Sequence, residues 1–590
     1  MREKRFQILL IKPSKYDDDG YVIRWFRGVI PSNSLACMYA IAQDAADRQV
    51  LGPDTGIDIT LIDEVTQRVD IAAIKRRFRR NGNFGMVGLV GVQSNQYPRA
   101  IDMARPLHQA GIPVVIGGFH VSGLMAMFDE MPDDLKEALD MGVSLFAGEA
   151  EEGRFDEVVR DAAAGKLEPI YNHISDLPNV TNVPVPFLPA AQVKRTLDGF
   201  TSFDAGRGCP FQCSFCTIIN VQGRKSRTRS ADDVEEIIRK NIAQGVTRFL
   251  ISDDNFARNK DWEAVFDRII ALRENEGINV HIVIQVDTLC HRIPNFIEKA
   301  RRAGVRRVFI GLENINPDNL LAAKKRQNKI TEYRTMMQAW KAADVITYAG
   351  YILGFPNDTP ESIRHDIEII KRELPVDILE FFFLTPLPGS EDHKTLWTKG
   401  VAMDPDMNRY DLEHWTTGHA RMTRREWEDI YDEAWRIYYT PEHMETVLRR
   451  ARGAGAGVSR LAGMLLWFSC ALAIEKVHPL QCGVLRMKSR KERRPGYPIV
   501  PAWRFYPAYV AETAVKFARL GRAALKLERT LRRVKADPQA KTYFDGSMAA
   551  VREDDSERLE MFTHSDAARE AVTHIRKVAE ITHAHENAQT

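Results

Sequence analysis

The sequence predicts an α/β protein in three parts. An N-terminal doubly wound, Rossmann-like domain spans 1–165. A central partial (β/α)6 TIM-type barrel spans 199–400, and a mostly helical C-terminal region spans 401–590. Three observations carry this reading. Short, near-continuous apolar runs alternate with helical patterns, which indicates parallel strands covered on both faces. The alternation lapses at 166–198, where "LPNVTNVPVPFLPAAQ" carries four prolines and reads as a linker. And 590 residues exceed what a single hydrophobic core organises.

In the first part "FQILLIKP", "IDITLIDE", "MVGLVGVQS", "PVVIGGFH" and "VSLFAGEAEE" read as strands. "SLACMYAIAQDAADR", "VDIAAIKRRFRR" and "YPRAIDMARPLHQAG" read as the helices between them. Several strands end in Gly or Ser, Ser94 among them, and an open α/β sheet leaves its ligand crevice at that carboxyl edge. "IGGFHVSG" is the most suggestive. Gly117, Gly118 and Gly123 would let backbone approach a large flat ligand, and they suit ordinary turns equally well.

After 198 the strands are "TSFDAGRG", "RFLISDDNF", "NVHIVIQVD", "RVFIGLENI", "ITYAGYILGFP" and "DILEFFFLTPLPG", separated by helical segments. Such βα units in a row place chemistry at the C-terminal ends of the strands. Beyond 400 the pattern is helical. The longest uncharged apolar run there, "LAGMLLWFSCALAI" at 461–474, falls short of the roughly 20 residues that span a bilayer, and reads as a buried helix. Residues 486–535, with "RMKSRKERR" and "YPIVPAWRFYPAYV", are basic and aromatic. They suit a solvated face, or else a membrane surface or a lipid-like substrate.

Net charge is +2, so no global field calls for nucleic acid. The N-terminal apolar run is too short for a secretory signal, and an odd total of 7 cysteines fits a reducing compartment. The expected location is therefore cytoplasmic, with membrane association through the C-terminal region as the alternative.

"GRGCPFQCSFCTIINVQG", 206–223, sets Cys209, Cys213 and Cys216 in a C-x3-C-x2-C pattern just after the first barrel strand. Thiolates are ligands for iron–sulfur clusters, and three of them leave one iron of a four-iron cluster without a protein ligand. A zinc site would have to recruit a distant cysteine or a histidine. Gly206 and Gly208 let the chain wrap before the first ligand, and Phe215 is placed to cover a cluster or stack on an adenine.

This loop resembles that of the radical S-adenosylmethionine (radical SAM) enzymes, and the match extends along the chain. "DDNF" (Asp253, Asp254, Asn255) stands where that family contacts the methionine amino group of SAM. "GLEN" (Glu313, Asn314) stands where polar groups meet the ribose and carboxylate. "GYILGFP" resembles the family's G-x-I-x-G, with Gly350, Ile352 and Gly354 beside the adenine. Arg227, Arg229 and Ser230 resemble the stretch leading into the first helix. The resemblance implies a 4Fe-4S cluster that binds SAM, splits its sulfonium with one electron and yields a 5′-deoxyadenosyl radical. Glu313 is the acidic residue expected to contact SAM; a salt-bridged strand-end carboxylate is the plainer reading.

A doubly wound domain, a proline linker and then this barrel resemble the cobalamin-binding subfamily over about 5–400. "VIGGFHVSG", "AGEAEEGRFDEVVRD", "PNDTPESI" and "TPLPGSE" are the similar stretches. The resemblance implies cobalamin near Ser94, Gly117, Gly118 and His120. The D-x-H-x-x-G motif that supplies an axial histidine in many cobalamin proteins is absent, and His108 and His120 also suit ordinary helix and turn positions. The implied activity is methylation or rearrangement of an unactivated carbon. A radical SAM oxidoreductase, cyclase or carbon–carbon coupling enzyme acting on a lipid, isoprenoid or tetrapyrrole, with a vestigial cobalamin domain, is the runner-up. A cobalamin or redox sensor is the non-enzymatic alternative. A methylthiotransferase would need cysteines for a second cluster, and 1–200 holds only Cys37. Expected partners are a small-molecule, lipid-like or peptide substrate and an electron donor such as flavodoxin or ferredoxin.

Overall fold

A computed structural model describes residues 4–552, 558–574 and 577. The five N-terminal runs form strands Lys4–Lys12, Thr55–Asp63, Gly85–Leu89, Val114–Gly117 and Ser144–Ala147. A sixth, Ile170–Asn172, joins the edge of the same sheet. All pair in parallel, in the spatial order second, first, third, fourth, fifth, sixth. The winding reverses between the first and third strands, which opens a crevice at their carboxyl ends. Ser32 and Asp70 cap the first two helices, Asn33–Asp47 and Ile71–Arg80, by accepting from Leu35 and Ala73 N–H. Each face of the sheet buries its own apolar cluster.

Segment 166–198 departs from a plain linker. Beside the strand 170–172 it forms a helical turn, Ala190–Val193, and Tyr171, Leu188 and Val193 are buried against the sheet. Burial of these apolar side chains overrides the aperiodic, proline-rich pattern.

The second sheet comprises Phe200–Phe203, Arg248–Ile251, His281–Val286, Val305–Glu313, Ile346–Leu353 and Ile378–Phe383. These pair in parallel and in chain order, with the first and sixth as free edges, so the barrel is open. Alternation sends Phe203, Phe249, Ile284, Ile310, Tyr351 and Phe381 into the helix-facing core. Their neighbours Ser202, Leu250, Gln285, Gly311, Gly350 and Glu380 therefore point inward.

Among the described residues the C-terminal region is mostly helical, with one strand. Gly483–Arg486 pairs antiparallel with Trp25–Gly28 and clasps this region to the N-terminal domain. The apolar run forms helix Val458–Cys470, with Leu461, Leu465 and Phe468 buried, followed by a π-helical turn, Ala471–Glu475. Over Val458–Glu475 the mean hydropathy is 1.4 across 18 residues, long and apolar enough to cross a membrane, as core helices also are.

Candidate functional site

The first barrel strand ends at Phe203, and Asp253 shapes the turn into the cysteine loop. Its carboxylate accepts from Ala205 N–H (2.7 Å), Gly206 N–H (2.9 Å) and Asn259 Nδ2 (3.0 Å). Burial pushes its pKa up to about 7, against the pull of these donors. Both oxygens are thus engaged in holding the loop entry, so Asp253 positions the loop. Gly208 has φ +87°, and a Cβ there would lie 2.6 Å from Lys225 O. Only glycine fits this crossing. Cys209 N–H then closes the loop on Gly223 O at 3.2 Å, and Ser214 N–H bonds Ala323 O at 3.1 Å.

Burial raises Cys209 to about 11 and Cys216 to about 12, and the charge of Asp254 adds to both. Asp254 itself, raised to about 7 by burial and then by Asp253, faces the loop. The Cys213 sulfur accepts from Gln327 Nε2 at 3.5 Å. Among the described residues no three His, Cys, Asp or Glu side chains converge as ligands of a single metal ion.

Opposite the cysteines lies a pair the sequence reading half missed. Glu313, at the end of the fourth barrel strand, is ion-paired with Lys325, and both side chains are about nine-tenths buried (11% and 10% exposed). Glu313 adopts φ 61°, a left-handed conformation costly for a non-glycine residue. A Cβ on Gly311 would fall 2.6 Å from the Glu313 Oε1. Burial lowers the Lys325 pKa, but Glu313, Cys213 and Cys216 pull it above its ordinary value. Lys325 Nζ also stands 5.6 Å from the ring centre of Phe215. The polar run "KKRQN", 324–328, was the available signal for Lys325 and Gln327.

Asn255 bonds Asp287 (3.0 Å), which Arg258 grips with two further bonds. Asn314 is fully buried; its Oδ1 accepts from Asn316 N–H, and its Nδ2 has no partner among the described residues. Asn319 links it to Asp358, whose other oxygen accepts from Gly354 and Phe355 N–H at 2.9 and 3.0 Å. Phe215 and Ile352 share an apolar cluster with Phe355. Gly350 leaves room for the Phe309 and Phe382 rings. Gly354 departs from expectation: a Cβ there would lie 1.9 Å from the Trp427 indole of helix Arg424–Tyr438. Its glycine is thus required by C-terminal packing rather than by an adenine. Inside the barrel Glu380 is fully buried, and neither oxygen has a partner among the described residues.

The carboxyl edge of the N-terminal sheet encloses a cavity of about 180 Å³, lined by Gly117, Gly118, Cys37 and Met38. Arg207, Val221 and Gln222 of the cysteine loop close its far side. His120 and Ser94 are not part of this lining. The His120 Nδ1 lies 3.2 Å from Ser94 Oγ, its Nε2 3.6 Å from Asp134, and its ring 4.1 Å from that of Tyr97. Burial depresses its pKa to about 3. His120 sits in the first turn of helix Phe119–Met127, buried and outside the lining of this cavity. Gly118 has φ +144°, and a Cβ there would lie 2.1 Å from Val92 N, while Gly123 lets the chain approach Pro388 of the barrel.

Residues 205–370 match the family model of the radical SAM superfamily. They are a radical SAM domain. The chain is 27% identical over 314 residues to bacteriochlorophyllide d C-12(1)-methyltransferase of Chlorobaculum tepidum, covering 51% of this chain and 63% of that one. It is 24% identical over 345 residues to hopanoid C-2 methylase of Rhodopseudomonas palustris, covering 58% and 62%. It therefore spans less than two thirds of either relative. In fold it is similar to TsrM from Kitasatospora setae, a radical S-adenosylmethionine methyltransferase solved with cobalamin and a 4Fe-4S cluster. The TM-score is 0.54 at 14% identity, covering 73% of this chain and 88% of that one. OxsB, solved with aqua-cobalamin and S-adenosylmethionine, gives a TM-score of 0.52 at 14% identity, covering 97% and 84%. These likenesses bear out the expected fold class.

In this radical SAM domain a buried ion network joins the cysteine loop to the N-terminal cavity. Arg207, two residues before Cys209, donates to Glu149 and Glu151 (2.6 Å each) and to Asp204 (3.0 Å). Arg227 also grips Glu149, and Arg229 bonds Asp204. Burial works against it, yet Arg207 and Arg229 hold the Asp204 carboxyl well below the usual range.

Proposed function

We propose that this protein is a radical SAM enzyme. It reductively cleaves S-adenosylmethionine at a 4Fe-4S cluster and, with cobalamin in the N-terminal cavity, methylates or rearranges an unactivated carbon. The observation that carries the reading is the glycine-turned loop of Cys209, Cys213 and Cys216, faced by Lys325–Glu313 and backed by the cavity against the sheet edge.

A 4Fe-4S cluster bound here would supply one electron for the cleavage of SAM, and cobalamin would supply a methyl carrier. The chain's own residues supply the rest. Cys209, Cys213 and Cys216 would hold the cluster; as free thiols Cys209 and Cys216 keep their protons, so metal binding would have to displace them. Lys325 offsets negative charge beside Cys213 and Cys216. Glu313 offers a carboxylate to the amino group or ribose of SAM, and Asn314 offers an unused N–H. Phe215, Ile352 and Phe355 form an apolar wall that excludes water. Asp253, Asn255 and Gly354 brace these elements. The cavity, mostly apolar with Glu149, Glu151 and Arg207 at one side and no lining imidazole, would hold a corrin without a histidine from this chain.

The substrate is a small molecule, a lipid-like compound or a peptide, and the electron comes from a donor such as flavodoxin or ferredoxin. Peripheral membrane contact is supported by one stripe of helix Ala502–Ala536. Trp503, Tyr506, Val510 and Phe517 are 70%, 56%, 65% and 49% exposed on it.

The test is anaerobic reconstitution with iron, sulfide, cobalamin, SAM and dithionite. Methylation predicts both 5′-deoxyadenosine and S-adenosylhomocysteine. 5′-Deoxyadenosine alone would favour the oxidoreductase, cyclase or coupling reading, and neither product would sink the enzyme reading.

A further inference from the structure

At the amino-terminal ends of the barrel strands the open barrel encloses a second cavity of about 410 Å³. Its walls are apolar: Leu250, Val283 and Tyr348 from the strands, and Met464, Trp467 and Phe468 from helix Val458–Cys470. This helix, read from the sequence as buried, thus lays its apolar face over the base of the barrel.

Basic groups outnumber carboxylates in the lining of this cavity. Arg307 and Arg460 line it, and Arg460 also lines an adjoining one with Arg306, Asp344 and Asp377. No side-chain hydrogen bond or ion pair engages any of these three guanidiniums among the described residues. The one carboxylate in the lining, Asp198, lies 3.9 Å from Arg248. Burial lowers the Arg307 pKa, Tyr348 and Asp198 oppose the shift, and Arg460 and Arg248 add to it. Guanidiniums left unpaired beside apolar walls favour an anionic partner.

We infer that this cavity binds an amphiphile whose apolar body lies among Leu250, Val283, Tyr348 and Trp467 and whose single anionic head, a carboxylate or a phosphate, meets Arg307 and Arg460. Arg307 and Glu313 lie on one strand, six residues or about 20 Å apart. Beyond Arg307 the barrel interior is filled by the Phe309 and Phe382 rings against Gly350, so the amphiphile lies at the base of the barrel. As a binding site the inference does not rest on the radical SAM reading above.

The experiment reads binding without turnover. Full-length protein without SAM is titrated with dodecanoate, dodecyl phosphate and dodecyltrimethylammonium below their micelle concentrations. Calorimetry gives the affinity, and the fluorescence change lost in Trp467→Phe places the probe. An anionic probe is expected to bind at one per chain, at least about tenfold tighter than the cation; the tighter of the two anions names the head group. Losing a charge-assisted hydrogen bond predicts that Arg307→Leu weakens anion binding by about tenfold or more. Gly463 lines the cavity and a Cβ there meets nothing within 4 Å, so Gly463→Leu fills the space while favouring the helix. It is expected to weaken all three probes. Equal affinity for anion and cation, or anion binding indifferent to both substitutions, overturns the inference. Probe binding as expected, with no product from SAM under reconstitution, upholds the site and removes the enzymatic reading alone.

Discussion

Arg207 and Glu151 meet at 2.6 Å across the boundary between the two α/β domains, and both are buried. The guanidinium ties the loop that carries Cys209 to the carboxyl end of the fifth N-terminal strand, with Glu149 and Asp204 completing its shell. Its removal leaves three buried carboxylates without their shared cation. Arg207→Leu is expected to cost about 3–5 kcal/mol in denaturant unfolding. Arg207→Lys keeps the charge but loses the fork and should fall between. A loss under about 1 kcal/mol in Arg207→Leu would show that the network does not join the domains.

Replacing Cys209, Cys213 or Cys216 singly by Ala should abolish the roughly 400 nm absorbance of the reconstituted protein and lower its iron content. Cys290→Ala is the control. It is buried in the barrel core, away from the loop, and should keep the full band. An unchanged spectrum in Cys213→Ala would refute the ligand assignment.

Lys325 and Glu313 compensate one another, so each is costly alone. Lys325→Met should destabilise the fold and weaken SAM binding. Adding Glu313→Gln should recover stability, since neither charge then remains unpaired, without recovering SAM affinity. Joint recovery of both would mean that the pair is only structural.

Glu380 gives a pH signature. Burial, with Glu313 nearby, holds its pKa well above the ordinary carboxylate value, and Tyr348 and Tyr439 are the other titratable groups facing it. The folded state therefore keeps a proton that the unfolded chain releases near pH 4.3. The stability this provides is complete below that pH and is lost as pH rises toward the folded-state value. Glu380→Gln is expected to gain stability over the parent between pH 5 and 8, by at most about 1.4 kcal/mol per pH unit. Melting temperatures across that range check it; a constant difference would show that Glu380 is already ionised.

Val510 lies at the centre of the exposed stripe on Ala502–Ala536. Farther along, the same helix buries Leu527, Leu531 and Val534 against the protein. Val510→Glu should reduce co-sedimentation with anionic lipid vesicles and leave the melting temperature unchanged. Equal sedimentation of both forms would remove the membrane contact.

Fold class was legible in the sequence, and so was the cysteine spacing on which the candidate site rests. Period-2 and period-3.6 apolar patterns are local, so all the expected strands formed, and the C-x3-C-x2-C spacing is local too. The strand at 170–172 escaped notice because three residues carry too little periodicity, and Gly483–Arg486 because its partner Trp25–Gly28 is over 450 residues away. The motif glycines were ambiguous because their reasons lie far off in the chain. Gly354 faces an indole and Gly118 a strand end, and only distant neighbours say so. Lys325, Arg207 and Glu380 owe their roles to burial and to the charges folding brings beside them. A residue's ionisation and its partners depend on contacts made by the whole chain, so these were settled by the tertiary packing and by nothing local.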